Sequence, residues 1–272
     1  NKMSERSLFS THCLSVLNIQ MLHHLHILLF ISLLCAHLCH SVSVNTADDL
    51  INLFNNVEGN ILKTDIELLN DIDFSGSSLP FPLGFFSNGT CVAFGGRFQG
   101  NGYSIEGLKM NNTNNAVHKH AGLFCSLKDA TVENLTIGSS CSFTGSSAGG
   151  LSVSVDGSLA VKNTKSMAAV NGMQIVGGFI GYMKGLKQPS VVSFEDCVNH
   201  GNVTGSGSGY LGGGFVGYMI SNTNMTMTIS SSTNNGNVTG SDVGGFVGNI
   251  YKNTNMTMTI SNSTNNGNVT GS

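Results

Sequence analysis

Hydrophobic and polar residues alternate in the phrase NMTMTIS, which covers residues 224–230. Met225, Met227 and Ile229 therefore fall on one side of an extended chain, and threonines fall on the other side. This period of two predicts a half-buried strand whose hydrophobic side chains face inward. In the later phrase GNVTG, the same pattern turns Val238 inward and its polar neighbours outward.

These phrases recur along the chain at a nearly fixed distance. NMTMTIS begins again at Asn255 and GNVTG begins again at Gly267, each 31 residues after the preceding copy. The phrase GGFVG begins at Gly213 and returns at Gly244, and it predicts a short strand where glycines allow close backbone approach. The phrase TNNGN predicts turns, because Asn and Gly tolerate left-handed backbone conformations.

A repeat of this length, built from strands and turns, predicts one coil of a parallel β-helix. A propeller blade would need about 40–45 residues and four strands. Coils that stack about 4.8 Å apart place like residues above one another. The predicted core columns contain Phe179, Phe215 and Phe246 from the GGF phrases, and Met225 and Met256 from the methionine strands.

The asparagines of the turn phrase are expected to stack in the same way. Asn234 and Asn235 recur as Asn265 and Asn266, which predicts polar ladders at the corners of the coils. Such ladders have two interpretations, a sugar-binding or ice-binding face, or a device that satisfies backbone groups of the turns. We favour the second interpretation.

An N-terminal cap and a first strand are predicted for residues 44–76, followed by β-helix repeats over residues 77–272. Thr46, with Asp49 three residues later, resembles a capping box and predicts the start of a short helix. This helix is expected to cover the end of the solenoid, where strands otherwise expose unpaired groups. Its predicted inner face consists of Leu50, Ile51, Phe54 and Val57.

The apolar segment at residues 27–36 has the length of a signal-peptide core and is too short to span a bilayer. We predict a cleaved signal peptide over residues 21–43, against the alternatives of a buried helix or a short anchor. Residues 1–20 are interpreted as an extension of the gene model with no fold. The expected location is extracellular or at the cell surface, with no membrane span in this fragment.

Four cysteines follow the predicted leader, an even number that permits two disulfides with three connectivities in an oxidising compartment. No pair has CxxC spacing, which argues against a zinc site. The alternative is that Cys125 and Cys197 fill core positions as small apolar residues. The candidate disulfide cysteines are Cys91, Cys125, Cys141 and Cys197.

Asn-x-Ser/Thr sequons are frequent and, together with the leader, predict a glycoprotein. Glycans on sequons one coil apart would crowd each other, so incomplete occupancy is expected. The candidate sites are Asn88, Asn111, Asn134, Asn202, Asn224, Asn237, Asn255, Asn262 and Asn268.

The low charge content and the slightly negative net charge argue against nucleic-acid binding. Only 10% of the 272 residues are charged and the net charge is −3 at pH 7. No basic stripe is present to hold phosphates, so we expect no nucleic-acid partner.

Residues with catalytic chemistry are sparse and scattered. His118 and His120 form an HKH phrase that we assign to a loop, His200 stands apart, and no HExxH metallopeptidase motif is present. Paired acids on a β-helix are typical of carbohydrate-active enzymes, but only Arg97 accompanies them and no pair recurs at coil spacing. We therefore expect no catalytic residue, cofactor or metal. The acid pairs are Asp71/Asp73, Asp129/Glu133 and Glu195/Asp196.

Several longer phrases resemble the GLUG-motif repeat proteins, over roughly residues 44–272. They are LLNDIDFSG, GRFQGNGYSIEGLKM, AGLFCSLKDATVENLTI and the later GGFVG units. The resemblance implies a right-handed β-helix and a surface or secreted role, mostly adhesion or display. Such repeats also occur in the non-catalytic region of some IgA-specific metallopeptidases. The chain departs from the family pattern after Phe124, where Gly is missing, and at Leu151, which replaces an aromatic residue.

Three functions follow from these observations. The favoured one is a non-enzymatic secreted or cell-surface β-helix protein for display, adhesion or binding of surface glycans or proteins. The alternative is the stalk of a larger secreted, metallopeptidase-like enzyme. The third is a β-helix carbohydrate-active enzyme. The sequence stops where another GGFVG phrase is expected, which predicts C-terminal truncation.

Overall fold

The computed structural model describes residues 41–271 apart from residues 58, 60, 77, 78, 80, 87, 114–118, 188, 207 and 208. The predicted gene-model extension, the signal peptide up to residue 40, and His118 lie outside the described residues. Residues 42 and 43, at the end of the predicted leader, belong to a short strand.

Helix α1 (Ala47–Asn55) begins where the sequence predicts. The Asp49 N–H donates to Thr46 Oγ1 over 3.2 Å, and the Thr46 N–H donates to the Asp49 carboxylate over 3.0 Å. This reciprocal capping box satisfies two backbone donors that the helix start leaves open. Leu50 and Phe54 are buried, while Ile51 packs against the core partly exposed.

The strands form four parallel sheets, and the chain visits sheets 1, 2, 3 and 4 in that order in every coil after the first. In the first coil, the described strands belong to sheets 1, 2 and 3. All pairings between these strands are parallel, which confirms the predicted β-solenoid, of about six turns. The first coil begins at Ile61, ahead of the predicted boundary at residue 77.

Sheets 1 and 2 carry most of the core-facing side chains. Sheet 1 contains β2 (Ile61–Leu62), β5 (Ala93–Phe94), β10 (Phe124–Leu127), β14 (Ser152–Val155), β18 (Ile180–Lys184), β23 (Val216–Ile220) and β28 (Val247–Tyr251). Sheet 2 contains β1 (Val42–Val44), β3 (Ile66–Leu68), β6 (Arg97–Gln99), β11 (Ala130–Glu133), β15 (Leu159–Lys162), β19 (Ser190–Glu195), β24 (Met225–Ser230) and β29 (Thr257–Ser261).

Sheets 3 and 4 complete each coil. Sheet 3 contains β4 (Ile72–Asp73), β7 (Ser104–Glu106), β12 (Thr136–Ile137), β16 (Lys165–Ser166), β20 (Val198–Asn199), β25 (Thr233–Asn234) and β30 (Thr264–Asn265). Sheet 4 contains β8 (Lys109–Asn111), β9 (His120–Ala121), β13 (Ser142–Gly149), β17 (Ala169–Gly177), β21 (Val203–Gly205), β22 (Leu211–Gly213), β26 (Val238–Gly240), β27 (Asp242–Gly244) and β31 (Val269–Gly271).

The NMTMTIS phrase forms strand β24, in which buried and more exposed residues alternate as predicted. Met225, Met227 and Ile229 are buried. In the next coil Met227 lies opposite Met258, and Met256 packs against the core while partly exposed. The period-two pattern therefore predicts both the strand and its buried side, since successive side chains of a strand point to opposite faces.

The GGFVG phrase forms a corner between two strands, which corrects the single short strand predicted from its glycines. β22 ends at Gly213 and β23 begins at Val216, so Gly214 and Phe215 make the turn from sheet 4 to sheet 1. A Cβ on Gly214 would overlap backbone of the next coil and the buried Asn234 side chain. Only glycine fits at position 214, because the Gly245 carbonyl and the Asn234 side chain already occupy the space that a Cβ would need.

The phenylalanines at these corners form a column. The Phe179 N–H donates to the Phe215 carbonyl over 3.0 Å, and the Phe215 N–H donates to the Phe246 carbonyl over 2.8 Å. The ring centroids lie 4.9 Å apart for the first pair and 5.2 Å apart for the second. Leu151 occupies the same position one coil earlier and hydrogen-bonds to the Phe179 carbonyl over 2.9 Å.

Left-handed residues occur at corners other than the one predicted. One residue after each of five sheet 2 strands, φ lies between +43° and +54°, whereas the TNNGN phrase contains no residue with positive φ. Asn and Asp adopt this conformation more readily than other non-glycine residues, and they fill most of the column. The column consists of Asn134, Asn163, Asp196, Ser231 and Asn262.

Candidate functional site

The predicted asparagine ladder is present and lies inside the solenoid. Asn199 Nδ2 donates to Asn234 Oδ1 over 2.8 Å, and Asn234 Nδ2 donates to Asn265 Oδ1 over 2.7 Å. Each Nδ2 also donates to the carbonyl of the glycine two residues later, over 2.8–3.0 Å. Asn199 and Asn234 are fully buried. The ladder therefore satisfies backbone groups of the turn, as expected. Its buried members Asn199 and Asn234 offer no surface to a ligand, whereas Asn265, in the last coil, is exposed.

A second ladder runs along the outside of the same corner. Asn266 Nδ2 donates to Asn235 Oδ1 over 2.9 Å, and Asn235 Nδ2 lies 3.4 Å from His200 Nδ1. These side chains are exposed. The sequence predicted Asn235 and Asn266 in a ladder, but it contained no signal for His200.

The sequons lie mainly on the surface. The asparagines of eight are exposed, and that of Asn134 is half-buried, with its Nδ2 donating to Gln99 Oε1 over 3.0 Å. Asn202 Oδ1 accepts the Asn237 N–H, and Asn237 Oδ1 accepts the Asn268 N–H, both over 3.0 Å. Their occupancy by glycans stays a prediction.

One disulfide joins Cys91 to Cys125, with the two Cα atoms 6.0 Å apart. Cys141 and Cys197 are free and buried, so their candidacy for a second disulfide is corrected. They lie at different corners of the coil, Cys197 after sheet 2 and Cys141 after sheet 3. Burial raises the pKa of the Cys141 thiol to about 11 and that of the Cys197 thiol to about 12, which disfavours a reactive thiolate.

Cys197 belongs to an inward polar column at the corner between sheets 2 and 3. In the neighbouring coils the same position holds Thr164 on one side and Ser232, then Ser263, on the other. Each of these side chains donates to the carbonyl two residues earlier, over 3.3 Å for Cys197 and 2.7–2.8 Å for the hydroxyls. The thiol thus takes the place of a hydroxyl in a structural ladder.

Asp71 and Asp73 accept hydrogen bonds from nearby serines. Asp71 Oδ1 accepts the Ser104 N–H of the next coil over 2.7 Å. Asp73 accepts the N–H and the hydroxyl of Ser75, both over 2.8 Å, and these bonds hold the pKa of Asp73 below its usual value.

The other acid pairs are engaged by partners on neighbouring coils. Glu133 pairs with Arg97, and Glu195 pairs with Lys162 over 3.4 Å. Asp129 accepts the Ser158 N–H over 2.9 Å. Within the described part of the chain, no group of three or more His, Cys, Asp or Glu residues is arranged to hold a metal ion.

Sequence reasoning missed one juxtaposition of acids. Asp73 lies opposite Glu106 in the parallel pair β4/β7, and Ser140 donates a hydrogen bond to the Glu106 carboxylate. Both acids border an open cleft of about 390 Å³, together with Lys109 and Ser140. The residues come from successive coils of unequal length, so their register was not readable from the sequence.

A different groove runs between the end of sheet 4 and sheet 1. We call it the tyrosine groove. It encloses about 240 Å³ and is lined by His120, Ser147, Ile175, Tyr182, Lys184, Tyr218 and Ile220. Burial raises the pKa of Tyr182. The signal in the sequence is a tyrosine three residues after Phe179 and again after Phe215.

No family model and no curated protein matches the chain. A solved structure that does match is the crystal structure of a "putative immunoglobulin A1 protease" from Bacteroides ovatus. The match has a TM-score of 0.53 and 17% identity, and it covers 85% of this chain and 84% of that chain. At this identity the likeness establishes the fold alone. In the part of the chain that the structure describes, no helix has the length and hydropathy needed to cross a bilayer.

Proposed function

We propose that this chain is a non-enzymatic, secreted or cell-surface β-helix repeat protein of the GLUG-motif type, which displays or binds glycans or proteins. The observation that supports the proposal is that the polar and ionisable side chains that could bind or react connect one coil to the next. The inner asparagines, Cys197 and the acids Asp71 and Asp129 all hydrogen-bond to neighbouring coils or to their own turn. Side chains used in this way stabilise a rigid scaffold, and function then resides on its outer surfaces.

Helix α1 has the role of an N-terminal cap in this proposal. The Phe54 ring lies 6.1 Å from the Phe94 ring and 5.8 Å from the Phe124 ring, so the helix packs on the aromatic core of the first coils. Strand β1 is the edge strand of sheet 2 beside this helix. Covering such an edge limits uncontrolled pairing with other chains.

Expression of the full chain in cultured eukaryotic cells tests the proposed location. We expect the protein in the medium or on the cell surface, cleaved within residues 39–44, with a lower apparent mass after N-glycosidase treatment. A variant lacking residues 21–38 is the control and should remain in the cytosol without glycans. Cytosolic, unglycosylated wild-type protein would refute the proposal.

The absence of catalysis is tested separately. Purified protein is incubated with a panel of polysaccharides and with immunoglobulin A, and reducing ends and peptide fragments are measured. We expect neither to increase over a heat-denatured control. Release of sugar that disappears in Glu106→Gln would instead support a carbohydrate-active enzyme at the Asp73–Glu106 cleft.

The second candidate function is the stalk of a larger secreted enzyme. The likeness to a structure described as a protease, over most of both chains, favours the stalk over a carbohydrate-active enzyme. Sequencing the complete transcript in both directions distinguishes the stalk from the display protein. An HExxH motif downstream of residue 272 would favour the stalk, because this motif supplies the zinc ligands and the base of a metallopeptidase.

A further inference from the structure

The tyrosine groove repeats the same side chain at the same place in two coils. Tyr182 lies directly opposite Tyr218 in the parallel pair β18/β23, and Lys184 lies opposite Ile220. All four side chains belong to the outward phase of sheet 1, since Met183 and Met219 between them are buried. Two phenol groups about 4.8 Å apart along the axis therefore border one groove.

The opposite wall of the groove comes from sheet 4. His120 lies opposite Ser147 in the pair β9/β13, and Ser147 lies opposite Ile175 in the pair β13/β17. The T-shaped contact between the His120 and Phe85 rings, 6.4 Å apart, fixes one end of this wall. The wall thus offers polar and apolar groups side by side, facing the tyrosines.

Charge around the groove is mainly positive. Lys184 is exposed at its edge and makes no ion pair with any described residue. Lys252 lies 5.0 Å from the Tyr251 ring, and Tyr251 is opposite Ile220 in the next coil. The acid at this wall, Asp242, lies three coils beyond Ser147 and accepts a hydrogen bond from Asn249 over 3.5 Å. An anionic ligand is favoured because the nearest free charge is a lysine.

We propose that the tyrosine groove binds one acidic sugar residue of an oligosaccharide. The tyrosines supply rigid, amphipathic contact area for the sugar ring, and Lys184 pairs with its carboxylate. The enclosed 240 Å³ is below the range of about 300–1,000 Å³ typical of drug-sized ligands, so the groove accommodates a single ring and the rest of the oligosaccharide extends into solvent. This assignment rests on the proposed surface function and names its ligand class.

Calorimetric titration of the full chain with trigalacturonic acid tests the assignment. The neutral comparison probe is the trimethyl ester of the same trisaccharide. We expect the acid to bind at least about tenfold more tightly than its ester, a difference equal to one close charge interaction.

Two variants and two controls locate the binding. Lys184→Gln should abolish the preference for the acid over the ester, and Tyr218→Ala should weaken both probes by about tenfold through loss of ring contact. Tyr218→Phe keeps the ring and should stay within about threefold of wild type. Lys162 lies on sheet 2 and pairs with Glu195, so Lys162→Gln should leave the affinity for both probes unchanged.

Equal binding of acid and ester, no binding of either, or unchanged affinity in both Lys184→Gln and Tyr218→Ala would overturn the assignment. Capture of a protein through Tyr218 without any sugar binding would also overturn it, in favour of a protein partner. Secretion and glycosylation are measured independently. A negative result in the titration alone would therefore refute the assignment of the ligand without refuting the proposed function. Circular dichroism of each variant establishes that it is folded.

Discussion

The first coils (before residue 150) and the last coils (from residue 201 onward) use different side chains to accept hydrogen bonds from exposed backbone amides. In the first coils, Asp65 accepts the Arg97 N–H of the next coil over 2.8 Å, and Asp71 accepts that of Ser104 over 2.7 Å. In the last coils, Asn202 accepts the N–H of Asn237 over 3.0 Å. The geometry is alike, but the acceptor is a carboxylate in one region and a carboxamide in the other.

This difference is compatible with the near-identity of the last coils. A carboxylate accepts hydrogen bonds and cannot pass one on, and stacked carboxylates repel each other. A carboxamide accepts from one neighbour and donates to the next, so it can repeat in every coil. Accordingly, residues 201–272 contain just two charged side chains, Asp242 and Lys252.

The first coils replace repetition with individual anchors. They contain the Cys91–Cys125 disulfide, helix α1 and an aromatic cluster in which the Phe94 and Phe124 rings are stacked 5.4 Å apart. Each anchor joins specific positions, so it tolerates coils of unequal length. The ladders of the last coils need a constant repeat length instead, because every amide must face its counterpart.

The largest expected effect is loss of a ring from the phenylalanine column. Phe215→Ala should lower the free energy of unfolding by about 3–5 kcal/mol, because the buried ring contacts Phe179, Phe194 and Phe246. Guanidinium unfolding followed by circular dichroism measures it. Phe246→Ala is the matched control and should cost clearly less, since Phe246 is only partly buried. Equal losses would argue against the column as the core of the last coils.

Removal of the disulfide should affect the first coils alone. The Cys91→Ser/Cys125→Ala variant should lose about 2–4 kcal/mol of stability, because the bond closes a loop with a sequence separation of 34. Hydrogen exchange should show lost protection before residue 150 and unchanged protection after residue 200. Cys197→Ser is the control, expected to be nearly neutral because Ser232 already fills that position one coil later. Loss of protection throughout the chain would contradict the division into two regions.

Interruption of the buried ladder should affect the last coils. Asn234→Ala leaves Asn199 Nδ2 and Asn265 Oδ1 each without one partner and should cost about 1–3 kcal/mol. Asn235→Ala, adjacent in sequence but exposed, should stay within about 0.5 kcal/mol of wild type. Urea unfolding of the pair provides the comparison. A neutral Asn234→Ala would indicate that the ladder accompanies the fold without stabilising it.

Extension of the ladder toward the first coils should stabilise the protein. Asn199 Oδ1 is buried and lacks a hydrogen-bond donor among the described residues, while Ser166, one coil earlier, donates to the Gly178 carbonyl over 2.8 Å. Ser166→Asn can supply that donor and should add about 1 kcal/mol, measured as a rise in the midpoint of urea unfolding. Ser166→Ala is the control and should lower the midpoint. A lower midpoint for Ser166→Asn would show that the space beside Gly150 does not admit the amide.

The smallest expected effect is that mild acid loosens the first coils and leaves the last coils unchanged. Hydrogen bonds lower the folded-state pKa of Asp73 and of Asp49 below the usual 3.8. A lowered folded pKa contributes stability above the unfolded pKa, and this contribution is lost as the pH falls below 3.8 through the folded value. Hydrogen exchange between pH 5 and pH 3 should show selective loosening of the first coils. Asp73→Asn should reduce the pH dependence, and uniform loosening of both regions would contradict the assignment.

The regular part of the fold was readable from the sequence because its coils have constant length. The period-two alternation predicts the inward facing of Met227 and Val238, and the 31-residue offset predicts the ladder of Asn234 on Asn265. Asn199 was not named as a ladder member; it lies 35 residues before Asn234, whereas Asn265 lies 31 residues after it.

Other features escaped the sequence because they depend on contacts between unlike coils. The Cys91–Cys125 pairing, the adjacency of Asp73 and Glu106, and the tyrosine groove each join residues whose register is set by three-dimensional packing. The glycine corner was predicted as a strand because its pattern of small residues suits both structures. Steric overlap at Gly214 decides between them, and composition does not reveal such overlap.

The buried amides also give the solenoid an electrical direction. Asn199 donates to Asn234, which donates to Asn265, so their dipoles point the same way along the axis. Aligned hydrogen bonds polarise one another, and each additional amide should strengthen those already in line. Reversing one member would set two donors or two acceptors face to face, so a coil joins this array in only one orientation.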